Sequence, residues 1–187
     1  MVRSTVATMA TVAATLASVG AWQPAAPPMP DWSGFAFLIG DFTAVGDGTP
    51  GAATGSTSMR PVMGGTALER INRADYPAAN GRPAFKHEDR LYLYRDPGAG
   101  GIRGLYFDGE GHVILYRVSV DNSARRVEMV SDVIPGQPRY RFVYTSDAPD
   151  EFDATFEIAP PDHPDQFTRY VGGKARRVPR AGPPPGR

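Results

Sequence analysis

The stretch Phe85-Lys86-His87-Glu88-Asp89-Arg90-Leu91-Tyr92-Leu93-Tyr94 decides the fold. Successive side chains of a strand point to opposite faces, so Phe85, His87, Asp89, Leu91 and Leu93 share one side. Lys86, Glu88, Arg90, Tyr92 and Tyr94 share the other. The first set reads as inward, which places two ionisable groups on an otherwise apolar face.

The same two-residue period recurs from Asp31 to Val178, and no stretch of about 12 residues there carries apolar residues at helical spacing. Strands are expected over residues 40–46, 54–62, 66–73, 84–95, 102–108, 111–120, 125–133, 139–146, 151–158 and 166–177. Clusters of Gly, Pro, Asp and Asn separate them, as at 77–83, 96–101 and 135–138. Asp31 or Ser33 is placed to cap a short helical turn running to Phe37, the only helix the pattern predicts. Asp108-Gly109-Glu110-Gly111 reads as a hairpin with a two-residue loop, pairing Phe107 with His112, Leu105 with Ile114 and Arg103 with Tyr116. That register turns His112, Ile114, Tyr116, Val118 and Val120 inward together with Leu105 and Phe107. Tyr140, Phe142 and Tyr144 form one face of a later strand, and Ala154, Phe156 and Ile158 one face of the next, with Arg141, Asp153 and Glu157 outside.

Consecutive antiparallel strands on short turns make a meander, and about ten of them without covering helices leave edges that closure removes. The expected fold is therefore all-β, an antiparallel up-and-down barrel of about ten strands with a short helical turn before the first. A two-sheet sandwich is the alternative. An outer-membrane barrel is excluded, because Lys86, Glu88, Arg90, Arg117, Arg141, Asp153 and Glu157 lie on faces that lipid would require to be apolar.

Composition narrows the function. The 187 residues carry 20 Lys+Arg against 20 Asp+Glu and no Cys. Neutrality argues against a nucleic-acid grip, and the missing thiols remove disulfides, thiolate metal sites and cysteine nucleophiles. Residues 1–21 hold one charge, Arg3, before an Ala/Thr/Val run, which reads as a secretory signal with a cut after Ala21. Residues 22–30 form a Pro-rich linker, 31–178 the barrel domain, and 179–187 a disordered tail. The 21 Gly and 19 Pro thus belong partly to the ends and partly to turns. The protein is expected to be exported, to the periplasm or the medium, with no transmembrane segment in the mature chain.

Gly40-Asp41-Phe42-Thr43-Ala44-Val45-Gly46, directly after Phe37-Leu38-Ile39, resembles the Gly-x-Trp-x-Gly-x-Gly opening of nitrobindin-like barrels and the Gly-x-Trp of lipocalins, with Phe42 for Trp and Ala44 for the middle Gly. Residues 76–89, 106–114 and 156–161 are similar to a family of small exported bacterial proteins with a lipocalin-like (calycin) barrel. The resemblance implies fold rather than activity. In physical terms, a ring at Phe42 plugs the closed end, Gly40 and Gly46 let the strand bend, and Arg176 or Arg177 supplies a cation for the ring. A nitrobindin resemblance would also imply haem on a late His. Here that residue is His163, within the turn-like Pro160-Pro161-Asp162-His163-Pro164-Asp165, leaving His87 or His112 as substitutes.

The inward polar set is His87, Asp89 and His112, with Tyr116 farther along. It can bind a metal through the imidazoles and Asp89, contact a ligand, satisfy itself, or act as a general base with its orienting carboxylate, and the i, i+2 spacing favours the structural or ligand-contact reading over catalysis. Gly46-Asp47-Gly48-Thr49-Pro50-Gly51 matches a nucleotide fingerprint only in letters, since no helix follows. The expected function is binding of a small apolar or amphipathic molecule in a pocket lined by Leu91, Leu93, Phe107, Ile114, Tyr116, Phe142 and Phe156, with His87, His112 or Arg60 orienting its polar end. A haem barrel and a barrel enzyme using His87, Asp89 and His112 are the alternatives.

Overall fold

The computed structural model describes residues 28–45, 53–79, 81 and 83–179. Gly46, the expected leader 1–21, the expected linker as far as residue 27 and the expected tail from residue 180 lie outside the described residues. Ten strands follow in order: β1 (Gly40–Val45), β2 (Thr54–Val62), β3 (Ala67–Tyr76), β4 (Phe85–Arg95), β5 (Ile102–Asp108), β6 (Val113–Asp121), β7 (Arg126–Ser131), β8 (Arg139–Ala148), β9 (Glu151–Ala159) and β10 (Thr168–Arg177). Each pairs antiparallel with its sequence neighbours, and β10 returns to β1 to close the barrel. Closure excludes the sandwich. No helix among the described residues is long and apolar enough to cross a membrane.

A 3-10 turn at Ser33–Phe35 precedes β1, and Asp31 Oδ1 accepts the Ser33 N–H at 2.9 Å. A second 3-10 turn at Met63–Gly65, which the sequence pattern does not predict, links β2 to β3. The Trp32 indole donates to the Gly65 carbonyl at 2.8 Å and ties the two turns together.

The lower end of the barrel is solid. Phe35, Phe37, Leu38, Phe42, Met59, Leu68, Leu91, Leu93, Val127, Met129 and Phe152 form one buried cluster. Phe42 meets Phe152 edge to face at 4.8 Å, and the Arg177 guanidinium lies 4.5 Å over the Phe42 ring. Arg177 also donates to the carbonyls of Ile39 at 2.7 Å and Phe37 at 3.3 Å, so one side chain binds the last strand, the floor ring and the entry turn. Arg176 points outward to Glu151 at 2.7 Å. Gly40 has φ +141°, and a Cβ there would collide with the Arg177 guanidinium, which is why this position takes glycine.

The β5–β6 hairpin departs from its expected register. Phe107 lies opposite Val113, Leu105 opposite Leu115 and Gly104 opposite Tyr116. The loop holds three residues, Gly109-Glu110-Gly111, with Gly111 at φ +94°. One extra loop residue slips the pairing by one and exchanges the faces of β5. Tyr106 and Gly104 therefore face in, whereas Leu105 and Phe107 face out.

Candidate functional site

The polar centre of the barrel begins on β3, where the inward period runs Leu68, Arg70, Asn72. Arg70 is only 4% exposed. Its guanidinium donates to the Asp89 carboxylate and to the Tyr144 hydroxyl, and it lies 5.1 Å over the Phe142 ring. The other Asp89 oxygen takes the Asn72 amide at 2.9 Å and His87 Nε2 at 3.2 Å. His87 Nδ1 reaches the Glu110 carboxylate at 3.0 Å. A continuous polar relay thus leads from the barrel centre to its upper mouth. A second pair lies beside it, with the Asp108 carboxylate accepting from His112 at 2.7 Å and from the Tyr106 hydroxyl at 3.3 Å.

Electrostatics follows from these contacts. The hydrogen bond to Asp89, joined by one to Glu110 and opposed by partial burial, raises the His87 imidazole to about 9. Burial pushes Asp89 up, yet Arg70, His87 and Asn72 together hold its carboxyl below the usual range. Burial likewise opposes charge on Arg70, and Asp89 and Tyr144 overcome it. Burial raises the Tyr106, Tyr116 and Tyr144 phenols, so all three stay neutral. Two buried polar atoms have no hydrogen-bond partner among the described residues, Arg70 Nε and the Tyr116 hydroxyl. A void of about 10 Å³ adjoins Arg70 and is bounded by Leu38, Thr57, Met59, Tyr144 and Phe152, room for one water-sized group.

Above this belt the inner wall changes character. Tyr140 and Phe156 stack at 5.9 Å, Tyr76 and Phe85 stack at 4.4 Å, and Tyr170 sets its edge on Phe156 at 6.2 Å. Phe85 and Tyr170 are exposed, while Tyr106, Phe142 and Phe156 are half-buried. The strands that close the barrel contribute small inner residues instead: Ala44 on β1, Ala154 on β9 and Gly173 on β10. Ala44 is solvent-exposed although it faces inward. A Cβ built on Gly173 meets no atom within 4 Å. The open space at Gly173 therefore adjoins the strand that carries the Phe156 ring.

Several residues expected at the site fall elsewhere. His112 is held by Asp108 at the mouth with its side chain 59% exposed, and Phe107 is on the outer face, both through the three-residue loop. Arg60 alternates with the buried Met59, so it points outward and pairs with Asp41 at 2.6 Å. Leu91, Leu93, Ile114 and Tyr116 face in but pack within the buried cluster. His87, Phe142 and Phe156 face the upper interior. Arg70, Asn72 and Glu110 escaped the sequence analysis; the signal for the first two was the Leu68-x-Arg70-x-Asn72 period, legible once β3 is registered on Leu93, Leu91 and Asp89.

The histidines do not suit haem. Both His87 nitrogens face carboxylates and the ring holds its proton to about pH 9, His112 is held by Asp108 at the exposed mouth, and His163 sits in the exposed β9–β10 turn. A protonated His87 is equally unfit as a general base at neutral pH. A separate hollow of about 290 Å³ at the outer base is lined by Ser33, Gly34, Ala36, Phe37, Asn122 and Arg125, and its one ionisable group, Arg125, already lies over the Phe37 ring.

The closed ten-stranded antiparallel barrel is compatible with a calycin-like fold. Comparison with protein families and with curated proteins finds no match for the chain.

Proposed function

We propose that this barrel binds a small amphipathic molecule in the upper half of its interior, outside the cytoplasm if the leader 1–21 acts as an export signal. The observation that carries the reading is the open space at Gly173, on the strand next to the one that carries Phe156, whose ring packs with Phe142. A binding barrel needs apolar walls, a few oriented polar groups and room. The walls are the aromatic collar, the polar groups are His87 and the Asp89 relay, and the room lies along the small residues of β1, β9 and β10. A barrel evolved only as a packed scaffold would place large side chains at Ala44 and Gly173.

N-phenyl-1-naphthylamine, an uncharged dye whose emission rises in apolar surroundings, tests this directly. Saturable enhancement in the native protein, and its loss in Gly173→Phe with an unchanged circular-dichroism spectrum, is expected. No enhancement, or equal enhancement in Gly173→Phe, would sink the reading.

A further inference from the structure

From the pairing of the interior charges we infer that the ligand is an uncharged molecule with a flat ring face, and that the site rejects the ionised form of the same scaffold. This rests on the binding reading above and narrows it. The collar supplies the ring preference. Tyr140 against Phe156 and Tyr76 against Phe85 present parallel faces at the mouth, and stacked aromatic surfaces select flat partners over flexible chains.

The charge preference follows from what the relay has already used. Arg70 is matched by Asp89 and His87 by Asp89 and Glu110, while the Asp108 carboxylate accepts from the His112 ring and the Tyr106 hydroxyl. The inner face near the mouth also carries the Tyr76 and Tyr106 phenols, which burial keeps neutral. Among the described residues, an anion entering the cup meets the Asp89, Asp108 and Glu110 carboxylates and no cation without a carboxylate partner. A cation meets Arg70 and the charged His87, with every carboxylate already engaged. Either ion would lose its water without gaining a counter-charge, whereas a neutral ring loses little and stacks. A fatty acid or other carboxylate is therefore a poor ligand, although the pocket is apolar.

The test is displacement of N-phenyl-1-naphthylamine at pH 7 by three ligands with one ring system: 2-naphthylmethanol, 2-naphthoate and 2-naphthylmethylammonium. The alcohol should compete roughly tenfold or more better than either ion. In Glu110→Gln the Arg70–Asp89–His87 relay is left with excess positive charge, and the ratio of naphthoate to alcohol affinity should rise several-fold. Naphthoate or the ammonium binding as well as the alcohol, with the dye still bound, overturns the charge inference and leaves the binding reading intact. Failure of the dye itself to bind overturns both. An unaltered ratio in Glu110→Gln also counts against the inference, because the matched charges would then not be what excludes the ion.

Discussion

Removing one partner of the Arg70–Asp89 pair is the sharpest perturbation the structure offers. Both side chains are about 5% exposed or less. In Asp89→Leu the Arg70 charge stays buried with only the Tyr144 hydroxyl and the Phe142 face for company. Breaking a buried pair from one side costs about 3–5 kcal/mol. For a domain of this size each kcal/mol moves Tm by roughly 2–4 °C, so the expected fall is roughly 6–20 °C. The double variant Arg70→Met with Asp89→Leu behaves differently. Exchanging a whole buried pair for apolar residues is neutral or stabilises by about 1–4 kcal/mol, and the Tyr144 hydroxyl left without its donor costs about 1–3 kcal/mol in return. The double variant should thus lie within about 2 kcal/mol of the native protein and well above the single variant. Thermal and urea unfolding at pH 7, followed by near-ultraviolet circular dichroism, provide the comparison. A single variant that loses under about 1 kcal/mol, or a double variant as damaged as the single, would refute the account of Arg70 as a charge dependent on Asp89.

The relay also sets a pH dependence. His87 has its proton affinity raised from 6.5 to about 9, so its contribution is fully present below about pH 6.5 and is lost as pH climbs towards 9. That loss is on the order of 1 kcal/mol once screening at the mouth is allowed for, and His87→Gln should flatten the alkaline side of a Tm-against-pH curve. Asp89 has the opposite sign, its depressed value making stability fall on acidification below the ordinary carboxylate range. At the floor, Arg177→Met forfeits the contact with Phe42 and two bonds to carbonyls, about 2–4 kcal/mol by urea titration, while Arg176→Met on an exposed pair changes stability by under about 1 kcal/mol. Equal effects at the two arginines would contradict their opposite placements. Gly104→Leu should cost about 1–3 kcal/mol by overpacking, because a Cβ there already sits 3.2 Å from Leu91 and 3.3 Å from Leu93; a neutral result would mean that the core beneath Tyr116 is loose.

Strand number and bounds were legible because a meander writes its period and its punctuation into the chain: residues 54–62 and 102–108 agree with β2 and β5 at both ends. Faces were legible only where the register was. On β4 the alternation alone placed Asp89, Leu91 and Leu93 inside. On β5 it failed, since Leu105-Tyr106-Phe107 is apolar on both faces and the turn at Gly111 decides which face is buried. Arg70 was illegible for a different reason. A single arginine within Glu69-Arg70-Ile71 looks like a solvent-facing charge, and only the neighbouring strand reveals the carboxylate that lets it stay inside. The small residues Ala44 and Gly173 stand in the sequence, but their inward placement is read only from the pairing of β1 and β9 with β10.

The seam between β1 and β10 bears on how the chain reaches its fold. Nine of the ten pairings join sequence neighbours and can form hairpin by hairpin, but the tenth brings Arg177 to the Ile39 carbonyl across 138 positions. Relative to a short hairpin, that ring closure costs roughly 3 kcal/mol more in chain entropy. Until it is made, the meander presents two unpaired edges and leaves the Phe42 ring without its cation. A nascent chain consequently keeps both edges open until β10 has emerged. The final residues of the barrel, rather than its apolar core, set the moment at which the protein becomes safe from its neighbours.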